Sequence, residues 1–577
     1  MSIGPILIAV RCMGTFGFDL AETSIIIGQQ ANESMTYTIL EEWAPSDDRS
    51  VEFPHSSRER IYGAGCNGVP SLSFHNISCS LGLSAGEAIS KHNQTIRDDS
   101  PVRASFEVKL LPTHDMRDYQ LPPADVCRDL ISVYFDTLDH TEASLFHHQS
   151  FLQAFDKEEV PLVTLLALFA LAARFSDHSY FQNCHRWARG LKWRQEAKTL
   201  FNLQVMNVSL STLQCCRLLS SLAAAEGDSD TVSICNGLST CVASLLDLPR
   251  NLSKQPLRRE IELRVLATVY MTDVWVSSGR NVKRSSHFDE TLPWPIGEVA
   301  FRNLTEDNVE DGITTGDVLS RRSCMWSQMI PLTNIFGQIN DLNHDMDCCE
   351  GDEASYLAKI GAISLDLAYW QRNLPDRLQD DTQNLAYFAS INLGHVFVAL
   401  HVGFHYHHVL LYYRFLHSQS RQAMPESQLE YSLRCKTHAV AITNLIWSSC
   451  RDFNVNCTWL MVSHVLVISS SVHLHTFLLN PSGEAVSEAR SLLERNFQLL
   501  TKLRCYWPWL DQAMSRLKAF QEACLRAREI SDVFKMNSWL RHFLHAYDKA
   551  VANDDTNAPC PSPHLFTLDN LACFPSS

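Results

Sequence analysis

From Leu162 to Phe175 the chain reads Leu-Val-Thr-Leu-Leu-Ala-Leu-Phe-Ala-Leu-Ala-Ala-Arg-Phe, entered through Pro161. No face of such a helix is polar, so other elements must surround it on every side. The segments around it carry the same period. Pro122-Pro123-Ala-Asp125 signals a helix start, with Val126, Leu130, Val133 and Tyr134 on one 3.6-residue face. A short helix over 146–155, entered through Ser150, follows. Further helical patterns cover 189–202, 211–225, 231–246 and 258–278, with Gly227 and Pro249 as stops. A second set spans 358–373, 392–417, 428–451, 458–479, 483–503 and 509–527. No alternating strand pattern of any length occurs, and no repeat of 30 to 50 residues is evident. The expected fold is all-α, a large multi-helix bundle.

The expected organisation has five parts. Residues 1–115 mix short apolar pieces with Gly, Pro, Ser and Asp turns and are expected to be irregular. A helical domain covers 116–340, an acidic linker 341–357, and a second helical part 358–550. The Pro-rich, polar tail 551–577 is expected to be mobile.

Charge narrows the partners. Forty-eight basic against sixty-four acidic side chains give a formal net charge of −16. Phosphate repels such a chain overall, so contact with nucleic acid requires a separate basic module, and none is visible. The 19 cysteines include no C-x-x-C pair, the commonest zinc spacing. Many fall within apolar helical patterns, where free Cys acts as a small hydrophobe. The odd count and the lack of a secretion signal point to a reducing, intracellular setting. Residues 453–483 hold no Asp, Glu, Lys or Arg, but His464, His473, His475 and several serines interrupt the apolar stretch. It is read as a core helix rather than a membrane span.

Four constellations invite chemistry. Gly63-Ala-Gly65-Cys-Asn-Gly68 matches the dinucleotide turn, but without the strand before it and helix after it that aim N–H groups at pyrophosphate. Asp341, His344, Asp345, Asp347, Cys348, Cys349, Glu350, Asp352 and Glu353 crowd one short stretch. Glu350 stands where a calcium loop needs Gly, and Tyr356 where it needs Glu, so a solvated acidic loop is expected. His401, His405 and His408 share a helix face at metal-binding spacing, with His407 beside them. No acidic base accompanies them, and histidines on a helix–helix seam are the simpler reading. Asp380-Asp381-Thr-Gln-Asn384 resembles the Mg²⁺ motif of all-helical terpene synthases, yet its last position is Asn384 and no second motif follows. No catalytic, cofactor-binding or metal-binding residue is assigned. Not an enzyme, and with no cofactor, is the expectation.

A family resemblance enters through five pieces in order. They are Leu121-Pro-Pro to Phe135 with Leu145-Phe-His-His-Gln-Ser-Phe-Leu152; Pro161 to Ser176; and Ser209-Leu-Ser-Thr-Leu-Gln214. Glu262-Leu-Arg264 through Val269-Tyr270-Met-Thr-Asp273 to Gly279-Arg280 comes next, then His287-Phe-Asp289-Glu290-Thr-Leu292-Pro293. Together they resemble the fungal-specific transcription factor domain, the helical region that follows the DNA reader in zinc binuclear cluster regulators. Trp370 to Pro375 and His401 to Leu416 look like that family's later half. Two departures stand out. Asn281 replaces the proline of the Gly-Arg-Pro turn, and the six-cysteine zinc cluster is absent. Cys450 and Cys457 keep a six-residue gap with no C-x-x-C before them.

The resemblance implies the regulatory portion of a nuclear transcription regulator for a metabolic or secondary-metabolite gene set, with no recognisable DNA-binding module. Either it works through a DNA-binding partner or the zinc-cluster segment lies upstream in the gene. A small-molecule effector is the expected input. The transcription machinery is a further possible partner, and no membrane is. The alternatives are a helical scaffold that heterodimerises with an intact zinc-cluster regulator and, further off, a Mg²⁺-dependent prenyl-diphosphate enzyme using Asp380 and Asp381. Asp273 and Arg280 are expected to be structural, as a buried charge pair or as helix-end contacts.

Overall fold

A computed structural model describes residues 121–140, 143–280, 282–286, 288, 292–306, 324–348, 351–416, 425–479, 483–527, 536 and 538–545. All lie in one compact unit, Arg117–Thr556. Residues 1–115, the tail 551–577 and the Gly63–Gly68 turn lie outside the described residues, as do Asn281, His287, Asp289, Glu290, Cys349 and Glu350.

The fold is all-α. The helices are α1 Ala124–Thr137, α2 His148–Asp156, α3 Leu162–Ala172, α4 Leu191–Gln204, α5 Leu210–Ala225, α6 Ser229–Leu245, α7 Pro256–Arg280, α8 Glu298–Arg302 and α9 Met325–Cys348. There follow α10 Glu353–Asn373, α11 Thr382–Ser390, α12 Gly394–Tyr412, α13 Glu426–Asp452, α14 Leu460–Leu479, α15 Gly483–Arg504, α16 Leu510–Ala527 and α17 Ser538–His545. Strand pairing among the described residues is limited to one isolated bridge between Asp139 and Ala143.

α3 is the centre of the first half. From Val163 to Ala172 every residue is buried, with α1, α4 and α5 packed around it. α12 is the centre of the second, held by α9, α10, α11, α13 and α14. α7 packs on α9, and α17 on both α7 and α9, so the two halves share a core.

α14 is long and apolar enough for a membrane by composition, yet 78% of its apolar window is buried by neighbouring helices. Several of its polar groups find hydrogen-bond partners there. His464 meets the Tyr406 hydroxyl at 2.8 Å, Ser471 meets Tyr413 at 2.6 Å, and His473 meets Thr443 at 2.8 Å. Asn496 donates to Ser469 and Ser470 at 3.0 and 2.9 Å. A buried helix needs such pairing; it is a core helix.

Two local expectations are corrected. α2 is entered through His147, not Ser150: the imidazole Nδ1 accepts the Ser150 N–H at 3.3 Å, the task of an N-cap oxygen. Residues 341–357, expected as an acidic loop, are mostly helix, because α9 runs on to Cys348 and α10 begins at Glu353. The acids there are largely exposed, as expected, but several are paired. Asp345 pairs with Lys359 at 3.0 Å, Asp347 with Arg541 at 2.7 Å, and Asp341 with Arg284. Partners on other elements neutralise what sequence alone presents as a charge run.

One turn depends on glycine. Gly190 enters α4 at φ +78°, and a Cβ there would sit 2.8 Å from the Cα and carbonyl oxygen of Ala170 in α3. Left-handed backbone with a side chain costs about 1–2 kcal/mol before any clash. Gly190→Ala is therefore expected to lower the thermal midpoint by several degrees. A midpoint within 1 °C of wild type would contradict the close approach.

Candidate functional site

The residues that carried the resemblance converge on α7. Arg264 is 1% exposed. Its guanidinium donates to the Ile296 carbonyl at 2.7 Å and to Ser144 Oγ at 3.4 Å, and lies 4.1 Å from the Phe301 ring centroid. One turn earlier, Glu260 accepts the Ile296 N–H at 3.0 Å. Glu298 accepts the N–H groups of Met325 and Trp326 at 3.2 and 2.9 Å, closing the start of α9. Gln214 of α5 donates to the Leu145 carbonyl at 2.6 Å. These polar groups clamp loops onto helices.

Asp273 and Arg280 serve as helix-end contacts. Asp273 accepts Asn236 Nδ2 at 2.9 Å, and the backbone N–H groups of Ser285 and Ser286, both at 2.7 Å. It thereby folds the chain back after α7. Arg280 reaches Ser229 Oγ at 2.7 Å and Asp230 at 2.6 Å.

A triad-like chain that sequence reasoning missed lies beside Arg264. His140 Nδ1 is 2.8 Å from Ser144 Oγ, and its Nε2 is 3.1 Å from Asp139 Oδ2. This copies the connectivity of an acid–base–nucleophile relay. The environment argues otherwise. Ser144 has no exposed surface, and its partners are 3% and 4% exposed. Burial pushes the Asp139 carboxyl up to about 7. Burial also holds His140 well below the usual imidazole range. A nucleophile that substrate cannot approach does no acyl transfer, and this relay is a packing device. Its only sequence signal is an Asp-His pair four residues before Ser144, too common a spacing to notice.

Of the histidines of α12, His405 and His408 share His438 of α13, while His401 and His407 meet other side chains. His405 sits 2.8 Å from His438 Nδ1 of α13 and 3.4 Å from Asp380. His408 stacks on His438 with ring centroids 3.9 Å apart. His401 packs on Phe397 at 4.5 Å, and His407 is stacked against Phe336 at 5.4 Å. Among the described residues no three His, Cys, Asp or Glu side chains converge to hold a metal. Burial drives His401 down to about 4 and His438 down to about 3, so these imidazoles are neutral near pH 7. Burial alone would raise the Asp380 carboxyl, but the His405 hydrogen bond and the charges of His401 and His405 outweigh it and lower it.

Asp381 caps α11 by accepting the Asn384 N–H at 2.8 Å. The Asn384 side-chain amide donates to the carbonyls of Asp376 and Gln379 at 2.8 and 3.0 Å. The two aspartates thus serve a helix start and a histidine seam. A paired Mg²⁺ site would need both on one face. Cys450 and Cys457 are free thiols in mutual contact at the α13–α14 junction.

Comparison with known proteins places this scaffold. Residues 131–383 match the fungal specific transcription factor domain. The matched span runs through 341–357 and takes in Trp370 to Pro375. An uncharacterized transcriptional regulatory protein of Schizosaccharomyces pombe is 20% identical over 623 aligned residues, 92% of this chain and 62% of that protein. A second from the same yeast is 22% identical, over 72% of this chain and 55% of its own length. A Zn(2)-C6 fungal-type transcription factor of Fusarium oxysporum f. sp. lycopersici is 22% identical, over 67% and 44% respectively. This chain therefore spans roughly half of the curated relatives it matches.

Proposed function

We propose that this chain, whose residues 131–383 match the fungal specific transcription factor domain, acts in the nucleus as the regulatory and effector part of a transcription regulator of a metabolic or secondary-metabolite gene set. The domain match carries the reading, supported by relatives that are themselves transcriptional regulators. The net charge of −16 makes these helices themselves a poor surface for phosphate. A small effector that binds one arrangement of the helices better than another would shift the population of the active state.

Tethering tests the output. The full chain fused to a bacterial repressor's DNA-binding domain is expected to change a fungal reporter several-fold, while a fluorescently tagged chain collects in nuclei. A tethered chain with no effect in either direction, folded and nuclear, would overturn the regulator reading. The second reading is a scaffold paired with an intact zinc-cluster protein. It requires a stoichiometric complex with one zinc-cluster protein.

A further inference from the structure

The junction between α5, α6, α7 and α14 contains a small, partly open cleft. Ala224, Val232, Val276 and Leu460 form apolar walls, with Met461 and Trp509 closing the far side. Ala223, Val232 and Val276 belong to one packed apolar cluster, so the floor is firm. Met461 is partly exposed, and its unbranched thioether adapts to what lies beside it.

Two polar features break this lining. Arg280 stands at the edge, 2.6 Å from Asp230 and 2.7 Å from Ser229 Oγ. A guanidinium has five N–H donors in a planar fork, and the side chain of Asp230 is 85% exposed. An exposed ion pair of that kind adds little and gives way to a better-placed anion. The second feature is Trp509. It is 4% exposed, and its indole Nε1–H has no hydrogen-bond partner. Trp507, two residues earlier, donates to the Thr458 carbonyl at 2.7 Å, and Trp370 donates to Gln328 at 3.1 Å. Buried indole N–H groups mostly find acceptors; those of Trp509 at this cleft and of Trp326 at the start of α9 lack one.

The lining therefore offers a cation, an orphan donor and a hydrocarbon wall. Ser229, which also lines the cleft, is the first residue of the 17-residue helix α6, whose positive end already holds the N-cap carboxylate of Asp228 and, in the first turn, Asp230. The complement is a group that accepts only, carries one negative charge and continues into hydrocarbon. We propose that this cleft binds a small apolar carboxylic acid. One carboxylate oxygen takes the Trp509 N–H, the carboxylate faces the Arg280 fork in place of Asp230, and the alkyl part lies against Val232, Val276 and Leu460. A phosphate monoester brings more charge and more acceptor sites than these donors can match.

The cleft joins residues inside the matched domain to Leu460, Met461 and Trp509 outside it. An acid bound here would change how the two halves pack, which rests on the regulator reading above and names its input.

The test uses the full chain, with 4-methylpentanoate as probe and 4-methylpentanamide as its uncharged isostere, in calorimetry and thermal shift. The acid is expected to bind with a dissociation constant below about 1 mM, at least ten times tighter than the amide. Trp509→Phe keeps the ring, removes the donor, and is expected to weaken the acid about tenfold or more. Asp230→Asn removes the competing carboxylate and is expected to tighten it several-fold, an effect a purely structural Arg280 would not produce. Equal binding of acid and amide, no change in Asp230→Asn, or no binding with the indole N–H satisfied by water alone would each overturn the assignment. Failure here with a tethered chain that still drives the reporter sinks the cleft and leaves the regulator reading intact. A silent tethered chain that binds the acid does the reverse.

Discussion

Lowering the pH of the folded chain from about 7.5 is expected to unfold it cooperatively near pH 5, well above the range where its carboxylates titrate. The cause is the buried histidines. Burial depresses His395 and His401 to about 4, and His407, His473 and His545 to about 3. All five are at most 4% exposed. A depressed imidazole contributes stability above its unfolded pKa near 6.5 and loses it as pH falls toward the folded value. Each such group removes about 1.4 kcal/mol per pH unit once the unfolded chain is protonated. Asp139 works the other way. Its folded pKa, raised to about 7 by burial, makes it stabilising at low pH and a penalty as pH rises through 7. Four of the five histidines remain uncancelled, a slope of roughly 5 kcal/mol per pH unit against a usual stability of 5–15 kcal/mol.

Near-UV circular dichroism across this range reads the transition. His407 supplies a control, since neither ring nitrogen has a hydrogen-bond partner and the ring packs against Phe336, Trp275 and Tyr406. His407→Leu removes one of the coupled protons without breaking a bond, and should move the acid midpoint down by a few tenths of a pH unit. Native near-UV signal persisting at pH 4.5 would refute the linkage.

Much of this architecture is legible in the sequence, and the misses share one physical cause. Helices with an apolar face announce themselves: α3, α5, α7 and α14 are found within a few residues of their ends because burial and period agree. α9 was hidden. Its last turns carry Asp341, Asp345 and Asp347, and the side chains that neutralise them, Arg284, Lys359 and Arg541, are distant in sequence. α17 was hidden likewise, since its place depends on Asn343 bonding His545 at 3.1 Å and on Tyr406 donating to the Leu544 carbonyl at 3.2 Å. For the site, residue type pointed toward chemistry that geometry then redirected. The shared face of His401, His405 and His408 was readable; that His405 and His408 both turn to His438 of α13 while His401 packs on Phe397 of its own helix was not. The Trp509 donor could not be foreseen, because an unsatisfied N–H is a property of the packed state alone.

The largest effect of a single substitution is expected at Arg264. Its guanidinium lies amid buried acids: Asp139, whose carboxyl the Arg264 charge pulls down against burial, and Glu298, to which Cys324 Sγ is bonded at 3.3 Å while lying 4.0 Å from Arg264. Arg264→Leu fills much of the volume yet removes the only cation in direct contact with Ser144 and the Ile296 carbonyl among the described residues. Breaking a buried charge arrangement from one side costs about 3–5 kcal/mol, because the remaining charge stays without compensation. Lys in the same place keeps the charge but cannot hold the Ile296 carbonyl, Ser144 Oγ and the Phe301 face at once with one compact ammonium. The expected order of thermal midpoints is therefore wild type, then Arg264→Lys, then Arg264→Leu, with the last losing enough to accumulate as aggregate. The two acids supply the internal check. At lower pH Asp139 protonates, so the gap between Arg264→Leu and wild type should narrow from pH 8 to pH 6.5, above the onset of histidine-driven unfolding. A gap that is constant across that interval, or a Leu variant as stable as wild type, would mean that the guanidinium fills space there and that its charge is not what holds α7 to the loops around it.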